Sequence, residues 1–118
     1  GETGVLKAQQ ATRALFGGDV EGLSADDMAD IFAEVPSSEI SKEKLDSEGK
    51  SLVDLLAESN ITNSKGEARR SIEGGGLYVN NVRVSEVSKA LTMDDSIEGR
   101  FILIRKGKKQ YHLVAIQG

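Results

Sequence analysis

The sequence predicts an α+β chain, with helices up to Glu73 and hairpins beyond it. Three observations carry this. Apolar residues recur at spacings of three and four as far as Ile72, the triplet Gly74-Gly75-Gly76 breaks that pattern, and short β-branched runs then flank Asn80-Asn81 and Gly107-Lys108. A chain of 118 residues, 38% of them hydrophobic, suits one domain or a small domain with an appendage, and is too apolar for wholesale disorder.

Val5 to Phe16 has a helical pattern with Leu6, Ala14 and Leu15 on its packed face, and Gly17-Gly18 stops it. Ser24 and Asp27 form a capping pair for a second helix, Asp26 to Ala33, which carries Met28, Ile31 and Phe32 and which Pro36 ends. The polar stretch Ser37 to Lys50 reads as a linker with one short helical turn near Lys44-Leu45. A third helix starts near Ser51 with Leu52, Leu55 and Leu56 as its apolar stripe. Asn60 is its left-handed terminator, with Ile61 folding back on Leu56.

Ser64 and Glu67 predict a capping box for a fourth helix, the hydroxyl taking the Glu67 amide and the carboxylate reaching back to the cap amide. Ala68 and Ile72 face the core there, while Lys65 and Arg69 share another face. Asn80-Asn81 accepts positive φ at both positions and predicts a two-residue hairpin. That register sets Val79 opposite Val82, Tyr78 opposite Arg83 and Leu77 opposite Val84, so Tyr78 and Arg83 project together. A second hairpin runs Phe101 to Lys106, turns over Gly107-Lys108 and returns from Lys109 to Ile116, with Phe101 in the core.

The net charge of −4 conceals a division. Residues 1–59 hold five Lys/Arg against thirteen Asp/Glu, whereas residues 60–118 hold ten against six. A basic second half on an acidic chain points to an anionic partner met by that half, the alternative being chance variation in solvated charge. Lys65, Arg69, Arg70 and Arg83 are the leading phosphate-contact candidates, since arginine forms bidentate pairs that lysine cannot. The competing reading pairs Glu67 with Arg70 and Arg69 with Glu73 along the helix. Such exposed pairs are worth about 0–1 kcal/mol, too little to exclude a phosphate. Arg105, Lys106, Lys108 and Lys109 surround the second turn, as a further contact or as a solubilising edge. Tyr78 beside Arg83 can stack on a base or ribose, and Asn80 lies at the tip of the same hairpin.

Enzymatic readings find little support. Cysteine is absent, which removes disulfides and thiolate metal sites and fits a reducing compartment. His112 is the only histidine and sits in an alternating strand, which suits a half-buried structural residue with no metal set around it. Asp26-Asp27 and Asp94-Asp95 suit helix N-termini better than paired acid–base work. The glycine triplet lacks both the Lys-Ser/Thr that follows a P-loop and the preceding strand, and serves better as a helix stop. No apolar run reaches the ~20 residues of a membrane span, and no signal-peptide pattern is present. A start at Gly1 rather than methionine leads to the expectation of a fragment or processed product.

Ser64-Lys65-Gly66-Glu67-Ala68-Arg69-Arg70-Ser71-Ile72, a glycine break, then Val79-Asn80 and Val82-Arg83-Val84 resembles the small RNA-binding domain named after the fourth protein of the small ribosomal subunit. The resemblance spans Gly49 to Val84 and continues through the strands to Ile116. It implies two helices packed on a small, mainly antiparallel sheet, with the basic second helix and its hairpin gripping structured RNA. Gly66 stands where many members of that family carry a polar or basic residue.

Ala14-Leu15-Phe16-Gly17-Gly18-Asp19, the Asp26–Ala33 helix and the ending Ile104 to Val114 further resemble the C-terminal region of bacterial-type tyrosyl-tRNA synthetases. That likeness implies a helical lead-in and linker over residues 1–48, an RNA-binding domain over residues 49–118, and tyrosine tRNA held by its long variable arm and anticodon stem. It implies no cofactor or metal for the fragment. Catalysis, with ATP and tyrosine, would belong to a missing part through which a cytoplasmic parent enzyme forms a homodimer, the fragment itself being a monomer. Neither the His-x-Gly-His element nor the Lys-Met-Ser-Lys-Ser loop of that chemistry occurs here. Two rival readings stand: the RNA-binding domain of a pseudouridine synthase or ribosome-rescue protein, and a protein-interaction module built on the acidic helices.

Overall fold

In the computed structural model the described residues are Val20, 23–108 and 110–118. The expected helix Val5–Phe16, its Gly17-Gly18 stop, the Ala14–Asp19 motif and Lys109 lie outside them. Four α-helices are described: α1 (Ala25–Ile31), α2 (Lys42–Asp46), α3 (Leu52–Glu58) and α4 (Lys65–Glu73). The strands are β1 (Ser37–Ser41), β2 (Lys50–Ser51), β3 (Leu77–Val79), β4 (Val82–Arg83), β5 (Ala90–Leu91), β6 (Phe101–Lys106) and β7 (Gln110–Gln117), with a 3₁₀ turn at Met93–Asp95. One sheet has the order β1-β7-β6-β3-β4, and β2 pairs with β5 in a second, small one. Every pairing in these sheets is antiparallel except β1 with β7, so the fold is the expected α+β arrangement.

Alternation along the central strands divides the apolar residues between the two faces of the sheet. Leu77, Val79, Ile102, Ile104 and Val114 meet Leu52, Leu55, Leu56, Ala68 and Ile72 of α3 and α4 on one side. Leu103, Tyr111 and Leu113 meet Val20, Leu23, Met28 and Phe32 on the other. The Phe32 and Tyr111 rings are tilted, with centroids 5.4 Å apart. Burying each Leu, Ile or Phe contributes about 1.5–3 kcal/mol, which makes the sheet the common support of both layers.

The predicted caps recur where they depend on near neighbours. The Ser24 Oγ accepts the Asp27 amide at 3.0 Å, and the Asp27 carboxylate accepts the Ser24 amide at 3.1 Å. Asn60 has φ +58°, and the Ile61 amide returns to the Leu56 carbonyl at 3.0 Å. The Asp94-Asp95 pair occupies the first turn of the 3₁₀ segment, capped by Thr92.

Two expectations are corrected here. The segment read as a linker contains β1, which adds to the sheet in parallel beside β7 through Ile40 opposite Ile116, and then α2. Its polar side chains lie on an edge strand, where one buried apolar residue is enough to seat it. The second helix ends at Ile31 with Phe32 as its C-cap, several residues before Pro36.

Candidate nucleic-acid interface

α4 is placed by its apolar positions, Ala68 and Ile72, both fully buried against α3 and the sheet. The Ser64 Oγ accepts the Glu67 amide at 3.1 Å, as a capping box requires. The Glu67 carboxylate differs from the expectation: it accepts the Asn63 amide at 3.2 Å rather than the cap amide. Its other oxygen takes the Lys106 ammonium at 2.5 Å, tying the start of α4 to the end of β6. The Lys106 hydrogen bond, followed by that from Asn63, holds the Glu67 carboxyl below its ordinary value.

The anchoring leaves one side of α4 in solvent, bearing Lys65, Arg69 and Arg70. The helical pairs Glu67–Arg70 and Arg69–Glu73 do not form, and among the described residues neither arginine pairs with an acid. Lys65 instead reaches Asp54 of α3 at 3.1 Å, with both side chains largely exposed. Gly66 makes room for the Arg70 guanidinium, whose Nη1 lies 3.4 Å from where a Cβ on Gly66 would stand.

Gly74 caps α4 and Gly75 turns the chain with φ +75°. The Arg83 side chain lies over that turn, its Cζ 3.7 Å from where a Gly75 Cβ would be. The tip of the β6–β7 hairpin joins the same place, because the Gly107 amide donates to the Gly76 carbonyl at 2.7 Å. Lys108 is exposed at this tip, and β7 resumes at Gln110 opposite Lys106. The glycine turn therefore brings the end of α4, Arg83 and the second hairpin together.

The Asn80-Asn81 hairpin forms with φ +52° and +63° and with the predicted pairs Val79–Val82 and Tyr78–Arg83. The Arg83 Nη2 lies 3.5 Å from the Tyr78 hydroxyl, and its Cζ is 5.8 Å from the ring centroid. A third member was not legible in the sequence. Arg105 is opposite Tyr78 across β3 and β6, and its Cζ sits 3.7 Å from the ring centroid. Its Nε donates to the Asn81 Oδ1 at 3.2 Å, and its Nη1 to the Gly107 and Lys108 carbonyls at 3.0 and 3.4 Å. The hydrogen bond from Arg83, then the positive charges of Arg83 and Arg105, hold the Tyr78 phenol below its ordinary value.

Asn80 is engaged inside the protein. Its Nδ2 donates to the Asp95 carbonyl at 2.6 Å and its Oδ1 accepts the Leu103 amide at 2.9 Å, which locks the hairpin to β6. His112 is structural as expected but buried rather than half-buried, with Nε2 2.8 Å from the Ser38 Oγ, and burial lowers its pKa below the ordinary 6.5. Phe101 is half-buried at the margin of the second core, with Arg100 5.4 Å above its ring centroid.

Comparison with known proteins adds to this geometry. The family model for the tyrosine–tRNA ligase SYY-like C-terminal domain matches residues 27–114. A tyrosine–tRNA ligase of Roseiflexus castenholzii is 48% identical over 116 residues, 98% of this chain and 27% of the relative. One from Rhodopirellula baltica is 46% identical over 118 residues, again 27% of the relative. The chain thus spans about a quarter of the length of these relatives. Among solved structures, the solution structure of a tyrosyl-tRNA synthetase C-terminal domain superposes with a TM-score of 0.64 at 38% identity, covering 88% of this chain and all of that one.

Proposed function

This chain belongs to the family of tyrosyl-tRNA synthetase C-terminal domains, and from that premise we propose that it binds tyrosine tRNA through its long variable arm and anticodon stem. Binding positions the tRNA for aminoacylation by a catalytic domain outside this chain, where ATP and tyrosine are used. The parent enzyme acts in the cytoplasm as a homodimer joined through that catalytic part, and this region binds RNA as a monomer without a cofactor.

The observation that carries the reading is the pair Arg69 and Arg70, exposed on a helix fixed by its buried side and free of acidic partners among the described residues. Bidentate guanidinium contacts to phosphates place a duplex without reading its bases, which suits recognition of an arm by its shape. Lys65 extends the cationic surface along α4, with Lys108 at the neighbouring hairpin tip and Arg83 over the glycine turn toward the other face of the sheet, and the weak exposed Lys65–Asp54 pair yields to a phosphate. Lys106 contributes by holding α4 against β6, with Lys109 as a further basic residue of that hairpin.

Titrating this chain with tyrosine tRNA, with the same tRNA carrying a shortened variable arm, and with a ribosomal RNA fragment tests the reading. Tyrosine tRNA is expected to bind most tightly and the shortened arm to lose about tenfold or more, the range set by losing one or more charge-assisted contacts. Equal affinity for all three would overturn it.

A further inference from the structure

The two pairs Tyr78–Arg83 and Tyr78–Arg105 belong to a longer row. Arg105 also stands opposite Tyr111 across β6 and β7, so Arg83, Tyr78, Arg105 and Tyr111 alternate across four adjacent strands on one face of the sheet. That face is the one away from α4, because the flanking Leu77 and Val79 enter the core shared with α3 and α4. At the β7 end the row is sealed, with Tyr111 buried beside Phe32. At the β4 end it opens: Arg83 is exposed, and Tyr78 and Arg105 are half-exposed.

Arg105 is fixed before any ligand arrives. The Tyr78 ring supports one face of its guanidinium, and Asn81, Gly107 and Lys108 occupy Nε and Nη1. A planar cation held in this way loses little freedom on binding. Two ligand geometries fit a guanidinium. A phosphate needs the charge and the N–H groups, whereas a nucleobase needs the plane. The aromatic support under Arg105 favours the plane, since bases stack on guanidinium and aromatic surfaces and only unpaired bases expose a face to do so.

The geometry points to a stacking platform for an unpaired nucleobase, formed by Arg105 on Tyr78, with Arg83 beside it for the adjoining phosphate. This rests on the RNA-binding reading and extends it. The domain would hold two RNA segments, a duplex backbone along α4 and an extruded or loop nucleotide on the opposite face of the sheet. Asn81 acts here as a positioning residue, because it touches Arg105 and not the base.

The test uses this chain with two RNA probes, a blunt duplex and the same duplex with one bulged adenosine, each titrated by fluorescence anisotropy. Arg105→Lys keeps the charge and removes the plane. It is expected to weaken binding of the bulged probe about tenfold, the size of one lost base stack, and of the plain duplex by less than about twofold. Asn81→Gly retains the positive-φ turn and removes the Oδ1 acceptor, and is expected to weaken the bulged probe alone by about threefold, a partial loss of the same stack. Arg69→Ala with Arg70→Ala is expected to weaken both probes. If Arg105→Lys leaves the bulged probe unchanged, or weakens both equally, the platform is refuted while the α4 reading stands. If the double variant on α4 weakens neither probe, it is the RNA-binding reading that fails. Far-UV circular dichroism of each variant separates loss of fold from loss of contact, and Asn81→Gly decides the question should Arg105→Lys unfold.

Discussion

On α4, Arg69 and Arg70 project from a helix that the protein holds from behind, and no acid among the described residues engages them. At the end of β6, Arg105 and Lys106 carry the same charge but are taken up by the molecule itself, one by Tyr78, Asn81 and two carbonyls, the other by Glu67. Each group precedes a glycine turn, Gly74–Gly76 after α4 and Gly107 after β6, and the two turns are joined by the Gly107 amide and the Gly76 carbonyl. The difference separates cations left open on the surface from cations the fold already engages; on the proposed reading Arg69 and Arg70 meet phosphate, Lys106 is a brace, and Arg105 offers only its supported plane. The fold distinguishes them through the partners each side chain already has.

The largest perturbation removes the support common to both groups. Ile72→Ala empties a fully buried position under α4 and should cost about 2–5 kcal/mol in urea unfolding. Since α4 then loses its seat, RNA affinity should fall with stability, although no cation has been touched. Retained stability would mean that α4 is held by something other than its packed side.

Lys106→Met sharpens the contrast from the brace side. It should lower the melting temperature while leaving the salt dependence of RNA binding close to that of the parent chain, the inverse of what is expected on α4. The sign of its pH dependence follows from Glu67, whose folded pKa is lowered from 4.5. The stabilisation is present above that value and lost as pH falls through the lower folded one. Acid titration below pH 4.5 should therefore destabilise the parent chain more steeply than Lys106→Met. Parallel curves would remove the Glu67–Lys106 contact from the account.

The smallest effect concerns the contact of β7 with β1. His112 is kept neutral by burial beside Ser38, with its folded pKa below 6.5. The unfolded chain takes up the proton first, so stability should decline as pH drops below 6.5 and level off beneath the folded pKa. In His112→Asn that decline should disappear from unfolding curves measured between neutral and mildly acidic pH.

What could be read from the sequence was what depends on near neighbours. Ser24 with Asp27, Ser64 with the Glu67 amide, the left-handed Asn60 after α3 and the positive-φ turn Asn80-Asn81 are each set by residues close in sequence, and each formed. The face of α4 that stays in solvent followed from the same local spacing. What could not be read depends on pairing across the chain. β1 carries one buried apolar residue among polar ones and exists only because β7 offers an edge. Arg105 meets Tyr78 through the register of β3 with β6, and Lys106 meets Glu67 from the opposite side of the same strand. Neighbours in sequence, these two cations face opposite ways, and local charge gave no sign of it.

On the proposed reading Arg69 and Arg70, without acidic partners among the described residues, hold phosphates, whereas Lys106, paired with Glu67, holds the fold. Measuring log affinity for tyrosine tRNA against log salt for the parent chain, for Arg69→Ala with Arg70→Ala, and for Lys106→Met tests it most directly. Loss of two phosphate contacts should flatten the slope by roughly two for the double variant, with no comparable change for Lys106→Met. Equal slopes for all three, or flattening in Lys106→Met alone, would contradict the account.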